Sequence, residues 1–199
     1  MQDTLEFIRE RRSIRRYDSR PVAAELVDQL LGAAIWAPSA HNRQPWRFVV
    51  ISEAATKHQL ATAMGEQLRR DLAADDLPAD FIERDAGRSY ARLTAAPLLI
   101  LLSLTLADMD AYPDERRAHN EALMAAQSVA MAGQNILLAA HALGLGACWL
   151  CAPLFCPQTV RRTLDLPDDW QPQGLITVGY PAQIREKTRH PLGTRVLYR

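Results

Sequence analysis

Arg9, Arg11, Arg12, Arg15, Arg16 and Arg20 crowd the start of the chain, with Ser13 and Tyr17 set among them. A guanidinium presents a planar fork of donors that matches phosphate or carboxylate oxygens, and a neighbouring hydroxyl adds one donor more. The chemistry within reach is capture of a compact anion or an electron-rich heterocycle. Further on, Pro38-Ser39-Ala40-His41-Asn42-Arg43-Gln44-Pro45-Trp46 puts a polar turn in front of an apolar run. Part of the arginine cluster has a plainer explanation: Arg9, Arg11 and Arg12 suit the last turn of a helix, where cations meet the negative end of the macrodipole. Arg15, Arg16 and Arg20 lie past that helix, so an anion site and a solvated basic face both stand at this point.

Charge balance narrows the partner. Basic and acidic residues number 23 each over 199 residues, whereas a general nucleic-acid binder needs a broadly positive surface. A local cluster on a neutral chain fits a small anion better than a polymer. Hydrophobic residues make up 48%, so one domain over residues 1–199 is expected, with its own core or one shared with a second copy. Residues 1–16 are charged nearly throughout, with no apolar stretch of a secretory signal, and Cys148, Cys151 and Cys156 are too few for a disulfide framework. Both point to a cytoplasmic protein.

The elements that must position these residues mix helix and strand. A short helix is expected over residues 3–12, with Asp3 and Glu6 in capping-box register, and a second over 22–35, with Pro21 in its first turn and Pro38 closing it. Trp46, Phe48, Val49, Val50 and Ile51 form a run too brief for a helix and predict a buried strand. A helix over 53–72 follows, then a polar break at 71–78 that is a candidate lid or insertion, then a helix over 79–93. Strands are expected at 97–102, 147–150 and 173–180, with a short helix over 157–164. Beyond Pro181 the tail has no period and needs something to lie on.

From Ala122 to Val160 there is no Asp, Glu, Lys or Arg, and a long helix runs through this stretch to the Gly144-Leu145-Gly146 turn. Its length admits a membrane span. Against that, Gln127, Ser128, Gln134, Asn135 and His141 distribute polar groups that hydrocarbon would leave unpaired. The expectation is a helix buried on most faces, packing around Ala125, Ala132 and Gly133 against its copy in a dimer.

Other chemistries fail on spacing. Cys148-x-x-Cys151 lacks a second pair of zinc ligands, and Trp149 and Leu150 between the cysteines read as a buried strand, so core cysteines are the simpler reading. Gly144-Leu145-Gly146 leads into a strand, with Trp149 where a dinucleotide fingerprint needs its third glycine. No P-loop, His-Glu-x-x-His or Gly-x-Ser-x-Gly occurs.

Taken together, the arginine cluster, the Pro38 to Trp46 turn, the long neutral helix, the Gly-Leu-Gly turn and the basic tail resemble the FMN-dependent nitroreductase family along nearly the whole chain. Arg11-Arg12-Ser13-Ile14-Arg15 resembles that family's opening contact, and the 38–46 segment resembles its Pro-Ser-x-x-Asn-x-Gln-Pro-Trp motif. The resemblance implies an α+β fold, with a mostly antiparallel sheet flanked by helices, a long helix at a dimer interface and a C-terminal extension wrapping the partner. It implies FMN as cofactor: Arg11, Arg12 and Ser13 on the phosphate and ribityl side, Arg15 at the pyrimidine edge, and Lys187 and Arg189 as a phosphate clamp from the tail. Pro38, Ser39 and Ala40 would reach the flavin from the other subunit, and Asn42 and Gln44 of the same motif would also bind the cofactor.

Leu150, Cys151 and Ala152 occupy the stretch whose backbone approaches the flavin N5, although some relatives carry Glu-Gly where this chain has Cys151-Ala152. No catalytic side chain and no metal are implied. The implied activity is two-electron reduction of a nitroaromatic, quinone or enone by a ping-pong route, with NAD(P)H or another small reductant as donor. A narrower resemblance, in 71–84, Tyr112-Pro113-Asp114 and 164–170, is to the nitroreductase-like C-terminal domain of FbiB. That would make the substrate a dehydro precursor of a deazaflavin coenzyme. Oxygen-dependent fragmentation of the flavin, and flavin binding without turnover, are the remaining alternatives.

Overall fold

A computed structural model describes residues 4–183 and 187–199. Its elements run α1 (Thr4–Glu10), α2 (Ala24–Ala34), β1 (Trp46–Ile51), α3 (Ala54–Ala74), α4 (Ala79–Thr94), β2 (Leu98–Leu104), α5 (Glu115–Ala142), β3 (Gly146–Leu150), α6 (Pro157–Thr163) and β4 (Gln171–Gly179). The four strands form one antiparallel sheet in the order β1-β2-β4-β3.

Every residue of β2 is buried, as expected of a central strand with helices on both faces. Its period-two alternation sorts the core into two layers. Leu98, Ile100, Leu102 and Leu104 meet Val27, Leu30, Val129 and Ile136 from α2 and α5. Leu99 and Leu101 meet Leu60, Met64, Leu93 and Val160 from α3, α4 and α6. Each such leucine contributes about 1.5–3 kcal/mol through burial.

Helix α5 starts at Asp114, whose Oδ1 accepts the Arg117 backbone N–H at 3.1 Å, and ends at Gly144, whose φ of 70° is the left-handed stop that favours glycine. One face packs on α2 and the sheet, fixed by Asn135 Nδ2 donating to Ala33 O at 3.0 Å. Ala125, Ala132 and Gly133 lie on this face, in the protein's own core. This corrects the expectation that they meet a second copy. The Trp149 ring takes the space beside Gly133 and Gly174, where a Cβ would sit 2.3 and 2.2 Å from ring carbons. From Leu123 to Gln134 the face turned outward is Leu123, Gln127, Ala130, Met131 and Gln134, uncharged, whereas the first turns expose Glu115, Arg116 and Arg117.

Two other expectations shift, and a third falls outside the described residues. Pro21 lies ahead of the first turn of α2, because Ala23 is the residue flanking that helix. Asp3, expected in a capping box, lies outside the described residues. Of residues 71–78, the first four finish α3 and 75–78 are the turn of a helical hairpin: α3 and α4 pack side by side, with Arg69 donating to both oxygens of Glu83 at 2.8 and 3.0 Å.

Candidate functional site

The strap that follows α1 runs along the free edge of β3. Ile14 N–H donates to Ala147 O at 3.0 Å and Ser13 pairs with Ala147 in a parallel bridge. Gly146 permits the contact, since a Cβ there would meet Ile14 at 2.7 Å. Tyr17, half-buried against β4, shares a 2.7 Å hydrogen bond with Thr177 Oγ1, and desolvation raises its phenol well above the ordinary range. Strap and sheet are therefore locked together, and the arginines project from a fixed base.

Arg11 and Arg12 line a cleft of about 250 Å³ with Ile14, Leu137, His141 and Leu145. The Arg11 Nη1 is buried and has no hydrogen-bond partner among the described residues. Burial lowers the Arg11 pKa, and the nearby cations Arg189 and Arg12 lower it further. Arg11 and Arg12 share this lining with one acidic residue, Glu10, and the buried Arg11 Nη1 that lacks an acceptor is a group an anion would satisfy. Lys187 is exposed, as is every described residue of the tail from 187 onward.

Ser13 and Arg15 open instead onto a neighbouring cleft of about 410 Å³, together with Arg16, Arg88 and Arg92. The four expected strap residues are thus divided between two adjoining spaces. Residues of both clefts act on the buried Cys148: burial raises its thiol pKa, while Arg15, Arg92, Ser13 and Arg11 oppose the rise. Arg88 and Arg92 on α4 escaped the sequence reading. Their i,i+4 spacing on one helix face was the available signal, but only the fold carries that face to Ser13.

Leu150 ends β3, and Cys151 and Ala152 turn the chain into a 3₁₀ turn, Ala152–Phe155. Cys151 is exposed, which corrects its reading as a core cysteine, and its Sγ accepts from Trp149 Nε1 at 3.2 Å. Cys148 is buried as expected, and Cys156 is buried too. Ala152 lines a small apolar recess with Met64, Leu68, Ser89 and Phe155, so α4 borders both this recess and the arginine cleft.

The second motif lies elsewhere. Ser39 Oγ accepts the Gln44 backbone N–H at 3.1 Å, and Ala40 N–H donates to Ser128 Oγ at 3.2 Å. Asn42 Oδ1 accepts from Gln44 Nε2 at 3.3 Å. His41, Asn42 and Gln44 all have φ near 50°, a left-handed backbone that Asn and His tolerate better than most residues. Pro38, Asn42 and Gln44 are exposed, and Ser39 and Ala40 half-buried. The turn rests on α5 at Ser128, whereas the Arg11 cleft meets α5 at Leu137 and His141. At 1.5 Å per residue, Ser128 and His141 stand about 20 Å apart along the helix. One chain does not bring its two motifs together.

Segments of the narrower resemblance do structural work. Asp114 caps α5, and Asp169 Oδ2 accepts from Thr105 Oγ1 at 2.6 Å, tying the loop before β4 to the end of β2.

Comparison with known proteins agrees with this architecture. Residues 8–180 match the family described as the nitroreductase family. An NADH dehydrogenase of Thermus thermophilus is 33% identical, over 95% of this chain and 92% of its own. A 5,6-dimethylbenzimidazole synthase of Rhodospirillum rubrum is 32% identical over 92% of this chain and 81% of its own. The crystal structure of a protein from Desulfovibrio desulfuricans, assigned as a nitroreductase and in complex with FMN, superposes with a TM-score of 0.77. It is 31% identical, covering 100% of this chain and 98% of that one.

Proposed function

The chain belongs to the nitroreductase family, and from that premise we propose that it is an FMN-dependent oxidoreductase. It carries two electrons from NAD(P)H or another small reductant to a conjugated acceptor such as a nitroaromatic, quinone or enone. The observation that carries this reading is the buried, unpartnered Arg11 Nη1 beside Arg12 and Arg189. A phosphate dianion supplies the acceptors this group lacks, so the residues present fit FMN.

FMN, when bound, supplies the two-electron chemistry. The chain's own residues hold and bias it. Arg11, Arg12 and Ser13, with Lys187 and Arg189 of the tail, would take the phosphate and ribityl side. Arg15, joined in its cleft by Arg92, would face the pyrimidine edge, where fixed positive charge favours the reduced cofactor. Leu150, Cys151 and Ala152 would border the reactive edge, offering backbone rather than side-chain contacts. No side chain of the cleft is required as a general acid.

The second motif enters from a second copy. The separation of about 20 Å between the two motifs along α5, the uncharged outer stripe Leu123, Gln127, Met131 and Gln134, and Trp36 at 86% exposure support a homodimer in which Pro38, Ser39, Ala40, Asn42 and Gln44 complete the partner's site. Each copy would be one domain over 1–199, working in the cytoplasm, with the tail laid on its partner.

One visible spectrum of the purified protein followed by anaerobic titration with NADH and NADPH tests the reading. Bleaching of a bound flavin, and reoxidation by a nitroaromatic or quinone, are expected. Colourless protein that takes up no FMN rejects it, and flavin that stays yellow with every donor makes the chain a binding module. Two narrower activities have their own readouts. A two-hydrogen mass gain on a dehydro deazaflavin precursor identifies that reductase. Loss of FMN in air identifies flavin fragmentation, the alternative that the Rhodospirillum rubrum relative brings forward.

A further inference from the structure

We propose that His41, Asp110 and Glu121 form a binding site for a divalent transition-metal ion. They come from three parts of the chain: the turn before β1, the loop between β2 and α5, and the N-terminal half of α5. One imidazole nitrogen and one oxygen of each carboxylate all lie within 4.8 Å of one another. Donors held about 2.0–2.2 Å from a shared ion stand roughly 3–4 Å apart, so small rotations of the exposed His41 and half-buried Asp110 close the set.

Glu121 separates this cluster from ordinary surface acids. It is only 5% exposed, and its Oε2 has neither solvent contact nor a hydrogen-bond partner among the described residues. A buried carboxylate in that condition is strongly disfavoured unless a cation or proton meets it. Asp110 brings more negative charge, not less. It is anchored through Oδ1 to Arg43 Nη2 at 2.6 Å, which leaves its second oxygen as a ligand. One imidazole and two carboxylates suit zinc, manganese or ferrous iron, and three protein ligands leave positions for water.

Such an ion would fasten the 38–46 turn to α5 at a second point. The existing link, Ala40 N–H to Ser128 Oγ, lies two turns along from Glu121 on the same buried face of the helix.

Tag-free protein stripped with chelator is titrated with Zn²⁺ by calorimetry and with Co²⁺ by visible absorption. One ion per chain at micromolar affinity or tighter is expected, weakened at least about 10-fold by Glu121→Gln and by His41→Asn. The second variant keeps a residue that accepts the left-handed backbone, and it alters an exposed side chain, so it decides the matter if Glu121→Gln does not fold. The absence of stoichiometric Zn²⁺ binding overturns the proposal. So does binding that both folded variants retain, or a Co²⁺ spectrum with thiolate charge-transfer bands, which places the ion on cysteine. These readouts register the metal directly and do not depend on whether FMN binds.

Discussion

Substitution of Arg11 by methionine should move the stability of the cofactor-free protein and its affinity for FMN in opposite directions. Arg11 has a buried Nη1 with no partner and two cationic neighbours, so without an anion it is a net cost to the fold. Methionine keeps much of the stem and removes the charge. An unsatisfied buried polar group costs about 1–3 kcal/mol. Since Arg11 is only partly buried, the low end applies, and about 1 kcal/mol raises Tm by about 2–4 °C for a chain of this size. The holoprotein loses a charge-assisted hydrogen bond of about 1.5–3 kcal/mol, or roughly 10- to 150-fold in Kd. Differential scanning fluorimetry of apoprotein and quenching of FMN fluorescence on titration read the two effects. A fall in apoprotein Tm, or an FMN affinity within about threefold of the parent, would refute the assignment of Arg11 as the anion-starved group.

Gly133→Ala and Gly174→Ala each force a methyl to within 2.3 and 2.2 Å of the Trp149 ring. Thermal unfolding should show a loss of about 1–3 kcal/mol in each, and neutral behaviour would mean the indole sits elsewhere. In the folded protein, iodoacetamide should label Cys151 alone, because Cys148 and Cys156 are buried and burial pushes the Cys156 thiol up to about 11. Peptide mapping that finds Cys148 modified before Cys151 contradicts this. Met131→Asp places a charge in the outer stripe of α5. Sedimentation should find it monomeric with at least about 10-fold weaker FMN binding, whereas a monomeric variant that binds FMN normally would show the site to be complete in one chain.

Where the sequence was legible, local physics decided the outcome. The β-branched and aromatic run at 46–51, the turn residues at 75–78 and the glycine at 144 set their elements' limits through short-range preferences, and the structure follows them closely. Strand β4 begins two residues earlier than expected because Gln171 and Pro172 pair with β2 across a bulge at Leu102. That bulge is a property of the pair, invisible in either segment alone. The same holds for Gly133, which composition assigned to a helix–helix seam but which the distant Trp149 claims. Arg88 and Arg92 read as solvated charges on an amphipathic helix, and their convergence on Ser13 exists only once α4 is folded back beside β2. The paired motifs were legible as chemistry, yet their separation along α5 needed the helix itself as a ruler.

The strap at Ser13 and Ile14 has a consequence for the unliganded protein. It covers an outer strand of the sheet, whose unpaired amides and carbonyls would otherwise template association with a foreign strand, and it does so through a single bridge at Ala147. The residues that guard this edge are neighbours of those proposed to hold the phosphate. A substitution that frees the strap would therefore expose this edge as well as shift the base of the proposed cleft.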